Sequence, residues 1–270
     1  MVKRDFDPIH PGEVLLEEYL GYASSMARTC GVFVYGLHKT GTMFLYRLFR
    51  ELSALLGLEF FSSNNRPKNH TELSTDIGDS FCLCPIRTYR ITRESYKNIQ
   101  TILHIVQVRD PRDILVSQYF SFGWFHPTNT WDGTRFKERR KIQSMSIDDY
   151  AMEAATETVY GRPSLMRRYK PILAESVASS GDLVCVRYED MVNDFGGWLH
   201  RVTGHLRIAA HDELANGLYE KFNLEFRVPG SKNFHKRNVA PGEHRARLRS
   251  ATIEELNHRF EAVLTRFGYD

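Results

Sequence analysis

Lys39 lies between Gly36 and Gly41 in the stretch Val32-Phe33-Val34-Tyr35-Gly36-Leu37-His38-Lys39-Thr40-Gly41-Thr42-Met43-Phe44. Two glycines let a chain turn so that successive N–H groups point inward. A helix starting near Thr42 adds the positive end of its dipole, and Lys39 adds a formal charge. Together these groups bind an anion. The loop of an ATP or GTP site has the pattern G-x-x-x-x-G-K-[ST], with Lys on the β/γ-phosphates and the hydroxyl on magnesium. Gly36 and Gly41 keep that spacing, but Thr42 and Met43 follow, so the triphosphate lysine and the adjacent metal hydroxyl are both absent. The basic residue sits inside the loop instead. Such a loop suits a nucleotide with one 5′-phosphate-like group and no obligatory magnesium.

A second anion site is expected where the apolar run from Ile102 to Val108 gives way to Arg109-Asp110-Pro111-Arg112-Asp113 and then Ile114-Leu115-Val116-Ser117. Pro111 can occupy the first turn of a helix without losing a hydrogen bond, and Asp110 is a natural N-cap before it. Arg109 at the strand end and Ser117 two helical turns on are then candidates to grip a phosphate. One nucleotide with phosphates at both ends accounts for both sites.

Four segments in order carry a family resemblance. His38-Lys39-Thr40-Gly41-Thr42-Met43-Phe44 resembles the P-K-S-G-T-T-W loop of sulfotransferases that use 3′-phosphoadenosine 5′-phosphosulfate (PAPS). The segment from Arg109 to Ser117 is similar to their R-N-P-K-D-x-x-x-S, which holds the 3′-phosphate. Arg187-Tyr188-Glu189-Asp190 resembles the R-Y-E-D after a late strand. Lys236-Arg237-Asn238-Val239-Ala240-Pro241-Gly242-Glu243-His244-Arg245 resembles the closing R-K-G-x-x-G-D-W loop. The resemblance implies Lys39, Thr40, Gly41, Thr42 and Met43 around the 5′-phosphosulfate. It implies Arg109, Ser117 and Arg237 at the 3′-phosphate, Lys236 among the cofactor-binding residues, Phe44 on the adenine face and Tyr188 at its edge. Three departures are visible: Met43 for the second Thr, Phe44 for the Trp, and Val239 for the first Gly of the closing loop. A β-branched residue does not readily take the positive φ open to Gly.

Sulfuryl transfer resembles phosphoryl transfer in spreading charge over equatorial oxygens, with the acceptor and leaving oxygens in line. The catalyst must neutralise charge on the departing 5′-phosphate and remove the acceptor proton. Lys39 is assigned the first task. For the second, the cytosolic members carry a His at a K-T-H-L-P-like strand end, but the counterpart Phe81-Cys82-Leu83-Cys84-Pro85-Ile86-Arg87 has none. Members acting on carbohydrate and tyrosine use a Glu shortly after the loop helix, which points to Glu59; His70 and Glu72 are further candidates, with Glu59 placed ahead of His70. The expected cofactor is PAPS, released as 3′,5′-adenosine bisphosphate, with no metal required.

These residues need strands to end at them and helices to start from them. Periodicity predicts strands near 31–35, 58–61, 80–84, 102–108 and 182–187, and helices near 42–56, 111–122, 147–160, 163–178, 190–203, 211–221 and 251–267. The alternation implies an α/β fold: a single domain with a central parallel sheet flanked by helices on both faces and a P-loop-like phosphate-binding loop. Ligands on such a sheet lie beyond the carboxyl ends of its strands, where Lys39, Arg109 and Tyr188 all fall. Residues 1–30 are read as a helical extension packed on the core, and 31–270 as the sulfotransferase domain.

The chain has 270 residues, 42% of them hydrophobic, enough for one substantial core. A net charge of +3 permits anionic ligands without marking a nucleic-acid-binding surface. Cys30, Cys82, Cys84 and Cys185 lie in apolar runs without a C-x-x-C pair, which reads as free buried thiols. No apolar leader or span of roughly 18 apolar residues occurs, so a cytoplasmic enzyme without a membrane span is expected. The aromatic run from Tyr119 to His126 and the basic stretch from Thr128 to Lys141 either shape an acceptor pocket for a small molecule or glycan, or serve as core and solvated face. Two alternatives stay open: a P-loop nucleotide kinase, and a catalytically inactive nucleotide-binding scaffold.

Overall fold

Central strand β1 (Cys30–Gly36) is buried along its whole length. Its side chains alternate between two apolar layers, as the period of a strand requires: Phe33 and Tyr35 face one core, Val32 and Val34 the other. A computed structural model describes residues 30–62, 80–87, 101–125, 133–159, 161–178, 181–206, 217–222 and 239–269. The predicted extension, apart from Cys30, and His70, Glu72, His126, Lys236 and Arg237 lie outside the described residues.

The remaining strands are β2 (Glu59–Phe61), β3 (Phe81–Ile86), β4 (Thr101–Val108) and β5 (Leu183–Arg187). They form one sheet in the order β2-β3-β1-β4-β5, and every pair is parallel. Parallel neighbours need crossovers, and the crossovers supply helices to both faces. The fold is thus a single α/β domain with a parallel five-stranded sheet, as the alternation predicts.

On one face, α1 (Thr42–Leu55) buries Phe44, Leu45, Leu48, Phe49 and Leu52 against β1, together with Met191 of α6 (Tyr188–Asn193) and Trp198 of α7 (Phe195–His205). Burying a leucine fully contributes about 1.5–3 kcal/mol each, so this stripe is what seats α1. The other face is covered by α2 (Pro111–Phe120), α4 (Ile147–Thr156), α5 (Leu165–Ala178) and α9 (Ser250–Phe267). Between them lie a π-helical turn (Ser121–Phe125), the basic helix α3 (Thr134–Gln143) and α8 (Glu243–Arg247).

Three differences from the sequence expectation have physical causes. The helix expected over 190–203 is two helices, because the Asp194 carboxylate accepts the Gly197 N–H at 3.0 Å and so starts a new helix at that point. Helix α3 escaped the periodicity because six of its ten residues are charged and its two apolar residues set no period; Phe136 is exposed and Ile142 is buried. The helix expected over 111–122 gives way at Ser121 to the π-helical turn.

Candidate active site

Beyond Gly36 the chain makes a tight turn closed on the Leu37 carbonyl, which accepts the Thr40 N–H at 3.2 Å and the Thr40 hydroxyl at 2.7 Å. His38 and Lys39 occupy its corners. Lys39 has φ 76° and Gly41 φ 79°, both left-handed. Glycine takes this conformation freely, whereas a lysine there costs on the order of 1–3 kcal/mol and must be held. A Cβ on Gly41 would also come within 3.1 Å of Met191, 3.2 Å of Gln107 and 3.3 Å of Tyr188. The loop therefore sits directly on β4 and α6.

Helix α1 starts at Gly41 without a side-chain cap and with no acidic residue in its first turn. Among the described residues no acceptor meets the N–H groups of Gly41, Thr42 or Met43. They form an open, electropositive helix end of the kind that takes a phosphate. The Lys39 ammonium donates to Ser121 Oγ at 3.2 Å across this opening.

Arg109 follows β4 and is buried. Its Nη1 donates to the Lys39 carbonyl at 2.8 Å, its guanidinium lies 4.2 Å over the Tyr188 ring, and Nη2 is 4.0 Å from Asp113 Oδ2. Arg109 Nε is buried without a hydrogen-bond partner among the described residues. A buried guanidinium with an unspent donor fits an anionic ligand.

Asp113, in the first turn of α2, accepts the Gly242 N–H at 2.6 Å, the His244 N–H at 2.9 Å and the His244 ring at 2.7 Å. Burial pushes its carboxyl up, but the His244 side chain and N–H, the Arg109 charge and the Gly242 N–H outweigh this and hold it below the usual carboxylate range. Tyr188 donates its hydroxyl to the Val239 carbonyl at 2.8 Å. Segment 239–244 is thereby fastened beside Arg109. The left-handed residue it needs is Gly242, with φ 85°, so Val239 is spared that conformation. Glu189 accepts the Asp110 N–H at 2.9 Å; burial raises its pKa despite that bond and the Arg109 charge.

The structure brings Lys39, Thr40, Gly41, Thr42, Met43, Arg109 and Tyr188 to one edge of the sheet, and Ser117 half-buried on α2 beside it. Several expectations need correction. Thr40 is fully buried and spends both its donors on Leu37, so it closes the turn and does not face a ligand. Phe44 packs edge-on against Phe195, Trp198 and Phe222 at centroid distances of 5.7, 6.1 and 5.5 Å, which makes it a core residue. Tyr188 commits its ring to Arg109 and its hydroxyl to Val239.

Glu59 is at the wrong end of the sheet. It pairs with Phe81, which pairs with Gly31, five residues before Gly36. At about 3.3 Å per residue that is roughly 16 Å from the loop. Sequence reasoning missed Ser121, one helical turn past Ser117; the i, i+4 spacing on the α2 face was the available signal. It also missed Gln107, whose amide donates to the Thr40 carbonyl. The cysteines form no disulfide, and burial pushes the Cys82 thiol up to about 12 and raises those of Cys84 and Cys185, which disfavours their thiolates.

No family model and no curated protein matches this chain by sequence. Solved structures match by shape. The mouse sulfotransferase SULT7A1 complexed with PAP superimposes with a TM-score of 0.63 at 17% identity, over 94% of this chain and 90% of that one. A retinol dehydratase in complex with androsterone and inactive cofactor PAP gives a TM-score of 0.58 at 13% identity, over 92% and 85%. The fold of this chain is the P-loop-like α/β fold of the PAPS-dependent sulfotransferases.

Proposed function

We propose that this protein is a sulfotransferase that moves a sulfuryl group from PAPS to the hydroxyl, less often the amine, of a small-molecule acceptor by in-line displacement. The observation that carries the reading is the uncapped N-terminus of α1, with Lys39 across it and the buried, incompletely bonded Arg109 beside it. Two anion-binding points on one sheet edge, in this fold, suit a nucleotide phosphorylated at both ends.

In this reading the N–H groups of Gly41, Thr42 and Met43 hold the 5′-phosphate. Arg109 and Ser117, with Lys236 and Arg237 from the neighbouring sequence, hold the 3′-phosphate. Bound PAPS supplies a sulfuryl group on a good leaving phosphate. Lys39 neutralises the charge that grows on the leaving oxygen. His38, half-buried at the corner next to Lys39, takes the acceptor proton, a task for which His70 is the other candidate. Trp124 and Phe125, exposed in the turn that begins at Ser121, would wall the acceptor. Such a wall favours an apolar alcohol, the chemistry of the androsterone held in the retinol dehydratase structure. No helix among the described residues is long and apolar enough to cross a membrane.

Calorimetry without magnesium tests the reading, with 3′,5′-adenosine bisphosphate and ATP titrated into wild type and Lys39→Ala. The expected result is tight binding of the bisphosphate, about tenfold weaker in the variant, and little affinity for ATP. A preference for ATP would replace the sulfotransferase reading with the kinase one.

A further inference from the structure

Gln107 is an amide with no exposed surface, in the middle of a sheet whose neighbouring side chains are apolar. Burying an amide is costly unless its donors are used. Its Nε2 donates to the Thr40 carbonyl and lies 3.5 Å from Met191 Sδ. Two residues on, just past the end of β4, Arg109 Nη1 donates to the Lys39 carbonyl at 2.8 Å. Successive carbonyls of the loop are therefore held by alternate residues where one strand ends.

The consequence follows from the trans peptide, in which C=O and N–H point in opposite directions. With the Thr40 carbonyl drawn down onto Gln107, the Gly41 N–H of the same unit is turned away from the sheet, toward the open end of α1. With the Lys39 carbonyl drawn onto Arg109, Lys39 is kept at φ 76°. Without these donors the loop would lose two of the bonds that hold its left-handed turn.

We propose that Gln107 and Arg109 are positioning residues that preset the loop for the 5′-phosphate, so that Arg109 serves both ends of the nucleotide. The proposal rests on the reading of this edge as a nucleotide site. Its test compares wild type, Gln107→Met, which keeps the volume but removes the donor, and Arg109→Lys, each titrated with 5′-AMP, 3′-AMP and 3′,5′-adenosine bisphosphate. Gln107→Met should weaken 5′-AMP and the bisphosphate by the same factor, about tenfold, and leave 3′-AMP within about twofold. Arg109→Lys should weaken 5′-AMP as well, although that ligand has no 3′-phosphate.

Unchanged 5′-AMP binding in Gln107→Met, or equal weakening of 3′-AMP, overturns the proposal. Amide hydrogen exchange over residues 39–44 gives a ligand-free readout. Faster exchange there in Gln107→Met, with the sheet unchanged, supports positioning, and unaltered exchange counts against it. Wild type that binds none of the three nucleotides would sink the nucleotide reading, while the exchange result would still decide the role of Gln107.

Discussion

The turns from β1 into α1 and from β4 into α2 stand side by side and treat the helix N-terminus in opposite ways. At α1 the cap is Gly41, the first turn has no acid, and the exposed residue there is Met43. At α2 the cap is Asp110, whose carboxylate accepts the Arg112 N–H and pairs with the Arg112 guanidinium at 2.7 Å; Pro111 removes a further donor and Asp113 stands in the first turn. The second helix end is thus neutralised by the protein's own carboxylates, and the first is left for a foreign anion. An anion at the second turn must be bound by the Arg109 guanidinium and not by the helix. Two similar sequence patterns, each strand, turn and helix, differ in whether the chain supplies the negative charge.

Changing each turn separately breaks or sharpens that contrast, and the largest effect belongs to the open one. His38→Asn should lower sulfuryl transfer about a hundredfold, while bisphosphate binding changes little. Unchanged transfer would move the base to His70. The closed turn should respond in stability. Asp113→Asn weakens three hydrogen bonds and leaves Arg109 without its carboxylate, which should cost about 2–3 kcal/mol in a denaturant titration. Because the folded-state pKa of Asp113 lies below its unfolded value, the native state favours the ionised form. That contribution is complete above an unfolded value of about 3.9, and is lost as pH falls through the lower folded value. The acid limb of the wild-type stability curve should therefore shrink in Asp113→Asn; identical limbs would mean the carboxylate contributes nothing.

Much of this arrangement could be read from the residues. The strand-loop-helix at Gly36–Phe44, the strand-to-helix turn at Arg109 and the parallel sheet all announce themselves through local patterns of apolar period, glycine and N-cap. What escaped depends on register and packing. Glu59 looked well placed because it follows the loop helix, but a strand's starting end is decided by its pairing with Phe81. The family resemblance assigns Phe44 and Tyr188 to the adenine, yet their neighbours in space, Trp198 and Arg109, come from distant parts of the chain. Gln107 and Ser121 gave little signal, since a single amide in a strand and a serine past a helix are common until a partner is known.

The smallest predicted effect is the most direct test of the contrast. Met43→Glu places an acid in the first turn of α1, giving it what α2 already has. Met43 is 60% exposed, so the substitution disturbs no packing. A carboxylate there complements the helix dipole and should raise the stability of the ligand-free protein by about 0.5 kcal/mol. The same charge competes with the 5′-phosphate for the free N–H groups and should weaken bisphosphate binding about fivefold, an effect that diminishes with added salt. Opposite signs in the two measurements are what an anion site at this helix end requires. A variant that is stabilised but binds as tightly as wild type would place the phosphate elsewhere on the edge, at the Arg109 turn.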